Sequence, residues 1–339
     1  MIIKSLVVLS MVLNLVGAHD AASKFDDAVI RDMAGSKKVV NASSNDIKLP
    51  EILPRPIIKA DSPKLNINAK YYYLADEESG AMIAGSNYKT RVPIASTTKI
   101  MSAIVILENY KLDEVVTVST TASTQAGADV FLRPNERITV LNLLHCMLIK
   151  SGNDSAYALA EYMNTKTAPE DIDSAGIIDG SVVYNTTSSK GVTTFVDKMN
   201  ETAKELGMVD THYEDPAGLD VTGYSSAYDL YVATKYAMKN EIFREIVAKQ
   251  SYVAKNIDNT IYHELRNSNR LVAEYQYQGA LGVKTGYMPE AGHCLVGAAK
   301  RNDHTFISVI LSTYLDTPSA SADESLKLLN WGFENVYWQ

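Results

Sequence analysis

Three short strings, in a set order along the chain, constrain its fold more than its composition does. Ser96-Thr97-Thr98-Lys99 opens an apolar run, Ser151-Gly152-Asn153 follows a second, and Lys284-Thr285-Gly286 lies between two apolar segments. As patterns they are S-x-x-K, S-x-N and K-T-G. Each recurs by chance: Ser86-Asn87-Tyr88-Lys89 is another S-x-x-K and Ser43-Ser44-Asn45 another S-x-N. Order, spacing and context give the set its meaning. The strings fall at a helix start, a loop closing a helix and a strand, and a fold that uses all three must gather them at one cleft.

Acyl transfer needs this combination. A serine hydroxyl is a poor nucleophile until a base takes its proton. Ser96 and Lys99 are three residues apart, so on a helix both side chains share one face, about one turn apart. The stretch Thr97 to Tyr110 is apolar enough to be a buried helix. A lysine buried there is desolvated, its pKa falls, and a neutral amine becomes available as a base. The bland alternative makes Lys99 a snorkelling surface residue and Ser96 a helix N-cap.

Ser151 and Asn153 come directly after Leu143 to Lys150, which reads as a core helix. From a short polar loop the Ser151 hydroxyl can relay a proton to a leaving amine and the Asn153 amide can hold a substrate carbonyl. The alternative is an ordinary helix-stop loop, with Asp154 capping the next helix. Lys284 to Gly286 fall in Ala280 to Tyr287, a strand expected to edge the cleft. Gly286 lets a ligand backbone approach closely, Lys284 adds positive potential, and Thr285 can hydrogen-bond a substrate carboxylate. An exposed lysine and a strand-end glycine are the alternative. The backbone N–H groups of Ser96 and Tyr287 are expected to form an oxyanion hole, where charge develops on the attacked carbonyl.

From about Asn66 to the C-terminus the chain resembles a low-molecular-mass penicillin-binding protein, a serine-type D-alanyl-D-alanine carboxypeptidase. Pro93 to Met101, Ser151 to Asp154 and Gly282 to Tyr287 are close to that family's signatures. Phe195 to Asn200, Leu206 to Met208, Asp215 to Leu219 and Asn267-Ser268-Asn269 with Leu271 fit as well. The resemblance implies an acyl-enzyme on Ser96, with Lys99 as general base. It implies that Ser151 and Asn153 shuttle protons and position substrate, and that Lys284 and Thr285 handle the terminal carboxylate. The implied substrate is the peptidoglycan stem peptide, which loses its last D-Ala, and β-lactam antibiotics would acylate the same serine. Met288 stands where a threonine often follows, and Ser268 where some relatives carry a basic residue near the substrate carboxylate. The stretch between Ser151 and Phe195 is longer than usual, so roughly 165–191 is expected to be a surface insertion. Asn330 to Phe333 reads as the usual end of the catalytic domain, and the β-rich domain and amphipathic anchor that follow it in many relatives are not expected here.

The formal net charge of −8 argues against nucleic acid and offers no basic patch for an anionic membrane. Lys4, the apolar Leu6 to Leu15 and the small residues at Val16-Gly17-Ala18 read as a secretory signal over 1–18. Export to the cell-wall or periplasmic space is therefore expected, with membrane association only if the signal stays uncleaved. Residues 19–64 read as a polar, proline-studded spacer and 65–339 as the catalytic domain. Cys146 and Cys294, the only cysteines, sit in apolar surroundings and are expected to be buried free thiols. The six histidines are scattered without metal-ligand spacing, so no metal and no cofactor is expected. His293 is expected to point outward from its strand.

The expected architecture is α+β. A hairpin over Tyr71 to Ala84 precedes helices near 97–110, 139–149, 155–163, 193–206 and 226–239. Strands follow near 276–285, 293–299 and 305–313, then a last helix over Ala322 to Phe333. One antiparallel sheet built from both termini, packed with a helical block, fits the penicillin-binding-protein and β-lactamase type of fold. Three alternatives share the site. A D,D-endopeptidase would cleave stem-peptide cross-links. A serine β-lactamase of the commonest kind needs an E-x-x-L-N string between S-x-N and K-T-G, which this chain lacks. A β-lactam sensor would need a coupled signalling domain.

Overall fold

A computed structural model gives the structure of the protein, and residues 54–167, 177–178, 181–182 and 186–339 are described. The expected signal, the spacer as far as residue 53 and most of the expected insertion over 165–191 lie outside the described residues. In chain order the elements are β1 (Pro56–Ile58), β2 (Ala69–Asp76), β3 (Met82–Ser86), α1 (Lys99–Asn109), β4 (Val115–Thr117) and α2 (Thr120–Ser123). Next come β5 (Arg137–Thr139), α3 (Val140–Ile149), α4 (Asn153–Thr167), β6 (Ile177–Ile178), β7 (Ser181–Val182) and α5 (Thr186–Glu205). Then follow α6 (Ala227–Ala237), α7 (Glu241–Val247), β8 (Ser251–Lys255), β9 (Tyr262–Arg266) and α8 (Arg270–Ala273). The chain closes with β10 (Ala280–Met288), β11 (Gly292–Arg301), β12 (His304–Thr313), α9 (Ala320–Asn335) and β13 (Val336–Trp338).

The β2–β3 hairpin forms where two apolar runs flank good turn chemistry. The Asp76 carboxylate accepts from the Ser79 N–H at 2.8 Å and from its hydroxyl at 2.5 Å. β2 then pairs antiparallel with β12 through Ala75↔Ile307, Tyr73↔Val309 and Tyr71↔Leu311. This joins the two ends of the described chain in the middle of a five-stranded sheet ordered β10-β11-β12-β2-β3.

Alternation assigns the faces. Leu74, Leu295, Phe306 and Ile310 pack with Leu328 and Leu329 of α9. Tyr73, Ala75, Ile307, Val309 and Leu311 pack into the helical block. With both faces covered, Phe306 to Leu311 is buried at every position, which is why β12 reads as a continuous apolar run. Helix α1 is buried from Lys99 through Ile106, and α3 from Leu143 through Ile149. Helices apolar all round belong at the centre of such a block, and both end at the cleft.

Several elements differ from expectation. A 3-10 turn, Ala95–Thr98, precedes α1, and α4 starts at Asn153 instead of 155. Helix α7 and the β8–β9 hairpin were not legible, because few inward positions of β8 and β9 are large apolar residues: Ala254, His263 and Leu265. Pro56 to Ile58, inside the segment read as spacer, pair with Val336 to Trp338, so folded structure begins before residue 65. Cys146 and Cys294 are buried and free. Among the described residues no cluster of His, Cys, Asp or Glu could hold a metal ion, and no helix is long and apolar enough to cross a membrane.

Candidate active site

Ser96 sits on a tight turn before α1. Thr97 donates from its hydroxyl to the Ile94 carbonyl at 2.7 Å, and Ala95 takes a left-handed φ of 48°. Two backbones press on this turn, and each does so at a glycine. A Cβ on Gly286 would stand 3.0 Å from the Ile94 oxygen and 3.1 Å from the Ser96 nitrogen. At Gly218, with φ at 77°, it would stand 2.1 Å from the Ala95 oxygen. Only residues without a Cβ bring the β10 edge and the 215–220 loop against the serine.

Lys99, one helical turn on, has no solvent exposure. Its Nζ lies 2.9 Å from Ser96 Oγ, 2.7 Å from Asn153 Oδ1 and 2.8 Å from the Ala217 carbonyl oxygen. Burial lowers the Lys99 pKa to about 7, and the negative charges of Asp215 and Asp154 oppose that fall. In the neutral amine two N–H groups suffice for Asn153 and Ala217, which leaves the lone pair for the Ser96 hydroxyl.

Two buried carboxylates hold this arrangement in place. Asp215 accepts from the backbone N–H groups of Ala217, Gly218, Leu219 and Asp220 at 2.6–2.8 Å, and Ser102 of α1 donates to the Pro216 carbonyl at 2.6 Å. The Ala217 carbonyl is thereby aimed at Lys99. Asp154, with no solvent exposure, reaches across with one oxygen to the Val130 and Leu132 N–H groups, both at 3.1 Å. Its other oxygen takes the Ser155 N–H at 2.7 Å, so it ties the 126–132 segment down as well as capping its own helix. Asn153 is engaged at both ends of its amide, Oδ1 to Lys99 and Nδ2 to the Ala126 carbonyl at 2.6 Å.

The strand wall is built differently. Lys284 is fully buried, and its Nζ donates to the Thr285 carbonyl at 2.9 Å. Burial, and then the charge of Lys99, push its pKa well down. Fully buried, it stands behind the strand edge and not on the cavity lining. Thr285 and Ser268 share a hydroxyl–hydroxyl hydrogen bond of 2.8 Å. Tyr287, 51% exposed, stacks on His293 with centroids 4.3 Å apart. His293 turns to the cleft side and meets Asp316 at 3.1 Å.

A cavity of about 760 Å³ is lined by Ser96, Ser151, Thr285, Gly286 and Tyr287. Lys99, Asn153 and Lys284 stand directly behind its walls. Lys150 and Arg270 are the cations that line it. Of the supporting residues, Asp215 was visible in sequence only as part of a matching Asp-Pro-Ala-Gly stretch, and Arg270 carried no signal.

The family model for D-alanyl-D-alanine carboxypeptidase matches residues 58–167 and 181–314. The chain belongs to that family of serine peptidases. It is 32% identical over 307 residues to the D-alanyl-D-alanine carboxypeptidase DacF of Bacillus subtilis, covering 88% of this chain and 71% of that one. It is 32% identical over 272 residues to a D-alanyl-D-alanine carboxypeptidase of a Streptomyces species, covering 77% of this chain and 86% of the relative. The crystal structure of a Streptomyces DD-transpeptidase superposes with a TM-score of 0.69 at 32% identity, over 80% of this chain and 99% of that one. The peptidase thus has the fold of the low-molecular-mass penicillin-binding proteins, with an antiparallel sheet and a helical block meeting at the cleft.

Proposed function

We propose that the peptidase removes the terminal D-Ala from peptidoglycan stem peptides through an acyl-enzyme on Ser96. The observation that carries the reading is the Ser96–Lys99 pair, 2.9 Å apart with the lysine pKa lowered to about 7. Lys99 takes the hydroxyl proton as Ser96 Oγ attacks the penultimate carbonyl, and the Ser96 and Tyr287 N–H groups receive the oxyanion. As the C–N bond breaks, Ser151 passes a proton to the departing D-Ala amine. Water then hydrolyses the ester and restores Ser96. Thr285 and Ser268 hold the terminal carboxylate, with the Arg270 guanidinium on the cavity lining beside them. Gly286 keeps the strand edge close, while Asn153 and Lys284 position Lys99 and β10. β-Lactams, which mimic the scissile amide, would acylate the same serine.

Residues 1–18 act in this reading as an export signal ahead of a spacer over 19–64, and the enzyme works in the cell-wall or periplasmic space. The test is D-Ala release from a synthetic stem pentapeptide by the protein and by Ser96→Ala. Release must fall by about 10⁴-fold or more in the variant, and D-Ala release that survives the substitution would refute the assignment.

A further inference from the structure

Behind the Gly127–Ala128 lining of the cavity lies a buried ion pair that the acyl-transfer chemistry does not use. His263 of β9 and Glu136, the residue before β5, have side chains 4% and 0% exposed, and His263 Nε2 lies 2.7 Å from Glu136 Oε1. The other ring nitrogen, Nδ1, lies 2.9 Å from the Val130 carbonyl oxygen. Both neighbours are acceptors. A neutral imidazole has one N–H and one lone pair, so only the imidazolium serves both. The second Glu136 oxygen accepts the Arg133 N–H at 3.0 Å, which fixes the carboxylate.

The Val130 carbonyl belongs to the segment that positions the base. The Ala128 carbonyl accepts the Asn153 N–H at 2.7 Å, and the Ala126 carbonyl accepts the Asn153 side-chain amide at 2.6 Å. Asn153 Oδ1 in turn accepts from Lys99 Nζ at 2.7 Å. The segment needs outside support. Phe131 is 78% exposed with a left-handed φ of 61°, and a bulky residue keeps such a strained angle only where its surroundings enforce it. Asp154 binds the N–H groups of Val130 and Leu132 on either side, both at 3.1 Å, and His263 binds the carbonyl between Val130 and Phe131.

We infer that His263 is a proton-dependent positioning residue for Lys99: its imidazolium, held by Glu136, latches the 126–132 segment on which Asn153 rests. The inference rests on the D,D-peptidase reading above. When the ring loses a proton, the N–H that stays faces the Glu136 carboxylate, and the bare Nδ1 repels the Val130 carbonyl. Glu136 and Asp154 favour the cation. Asp129 and Glu264 with Lys150 and Arg133 line the groove beside it, two of each sign. β8 places Ala254 opposite His263, and Cys146 of α3 stays a neutral thiol because burial pushes it well up. Burial by itself lowers the His263 pKa, but the hydrogen bond and charge of Glu136, with the Val130 carbonyl, leave it above the ordinary value. The latch is therefore complete below the ordinary histidine pKa and lost as pH rises through the raised one. Lys99 acts in the opposite sense, being charged below about 7. The rate is then bell-shaped, with Lys99 on the acid limb and His263 on the alkaline limb.

The test is the pH dependence of D-Ala release from a stem pentapeptide by the protein and by Glu136→Gln, beside NMR of the protein labelled with nitrogen-15 in histidine and asparagine. In Glu136→Gln the new amide N–H donates to a neutral His263 Nε2 and its oxygen keeps the Arg133 N–H, so Nδ1–H stays on Val130 at every pH. In the unsubstituted protein kcat/KM falls about tenfold by one pH unit above the His263 midpoint. Below that midpoint both ring nitrogens carry protons, and the Asn153 side-chain amide resonance shifts with the same midpoint. In Glu136→Gln the alkaline limb disappears, kcat/KM there staying within about twofold of its maximum, while the acid limb of Lys99 stays at about 7. An alkaline limb that survives the substitution overturns the inference. So does a His263 ring with a single N–H at the pH optimum, or an Asn153 amide that does not follow the ring. Should Glu136→Gln fail to fold, these two resonances in the unsubstituted protein decide. Absence of D-Ala release at every pH refutes the peptidase reading instead, and the Asn153 amide then decides the latch.

Discussion

The two walls of the cleft each bury a lysine, and the two lysines differ. Lys99, on the helical wall, has three oxygens within 2.9 Å and two carboxylates whose charge favours its cation. Lys284, on the strand wall, has the Thr285 carbonyl as its hydrogen-bond acceptor and a like charge nearby. Burial lowers both, but the acceptors and carboxylates around Lys99 keep it close to neutrality, where it can exchange a proton. Lys284 is pushed well down by burial and then by the charge of Lys99, and its amine donates to the Thr285 carbonyl, not to the Ser96 hydroxyl. Proton handling therefore belongs to the helical wall. The strand wall is left with spare hydroxyls, an exposed tyrosine and a glycine edge for holding a ligand.

The largest effect that sharpens this contrast is Lys99→Met, which keeps bulk and removes the base. Acylation by a β-lactam should slow by about 10²–10⁴-fold with the circular dichroism spectrum unchanged. Lys284→Met should cost only about 10–100-fold, through misplacement of β10, and equal losses in stopped-flow acylation would erase the distinction. The pH profile comes next. Acylation needs the neutral amine, so its rate should rise up to pH about 7 and fall below it as Lys99 gains a proton. Asp215→Asn removes a negative charge that raises the Lys99 pKa, so the midpoint should move to lower pH, and an unmoved midpoint counts against that coupling.

Gly218→Ala tests how tightly the 215–220 loop must press on the serine turn. The new Cβ meets the Ala95 oxygen at a φ few side chains adopt, and a stability loss of about 1–3 kcal/mol in urea is expected. The smallest effect is Arg270→Ala. Removing a half-exposed cation from the strand wall should raise KM for the pentapeptide by about fivefold and leave kcat unchanged. A fall in kcat would place Arg270 closer to the chemistry than the carboxylate site.

What sequence revealed follows how local each feature is. Ser96 and Lys99 are one turn apart in a visibly apolar helix, so their meeting needs no knowledge of the fold. The paired ends of the sheet were legible because Phe306 to Leu311 and Tyr71 to Ala75 are long apolar runs. The hydrogen bonds that fix Lys99 were not: Asn153 was legible as a cleft residue of the S-x-N string but as a substrate ligand, and the Ala217 carbonyl reaches the amine only by tertiary contact. Lys284 reads as a cleft lysine lending positive potential, and its full burial was not legible because burial on an edge strand depends on what the helical block lays over it. No periodicity encodes the exposure of Phe131, whose left-handed φ of 61° lies between the Val130 and Leu132 N–H groups that Asp154 binds.

The most direct measurement is intact-mass and peptide mass spectrometry of the protein after treatment with a penicillin. A stable penicilloyl adduct on the peptide containing Ser96, absent in Ser96→Ala, is the expected result. Hydrolysed penicillin without an adduct would point to a β-lactamase instead of a carboxypeptidase, and an adduct on any residue other than Ser96 would contradict the acyl-enzyme assignment.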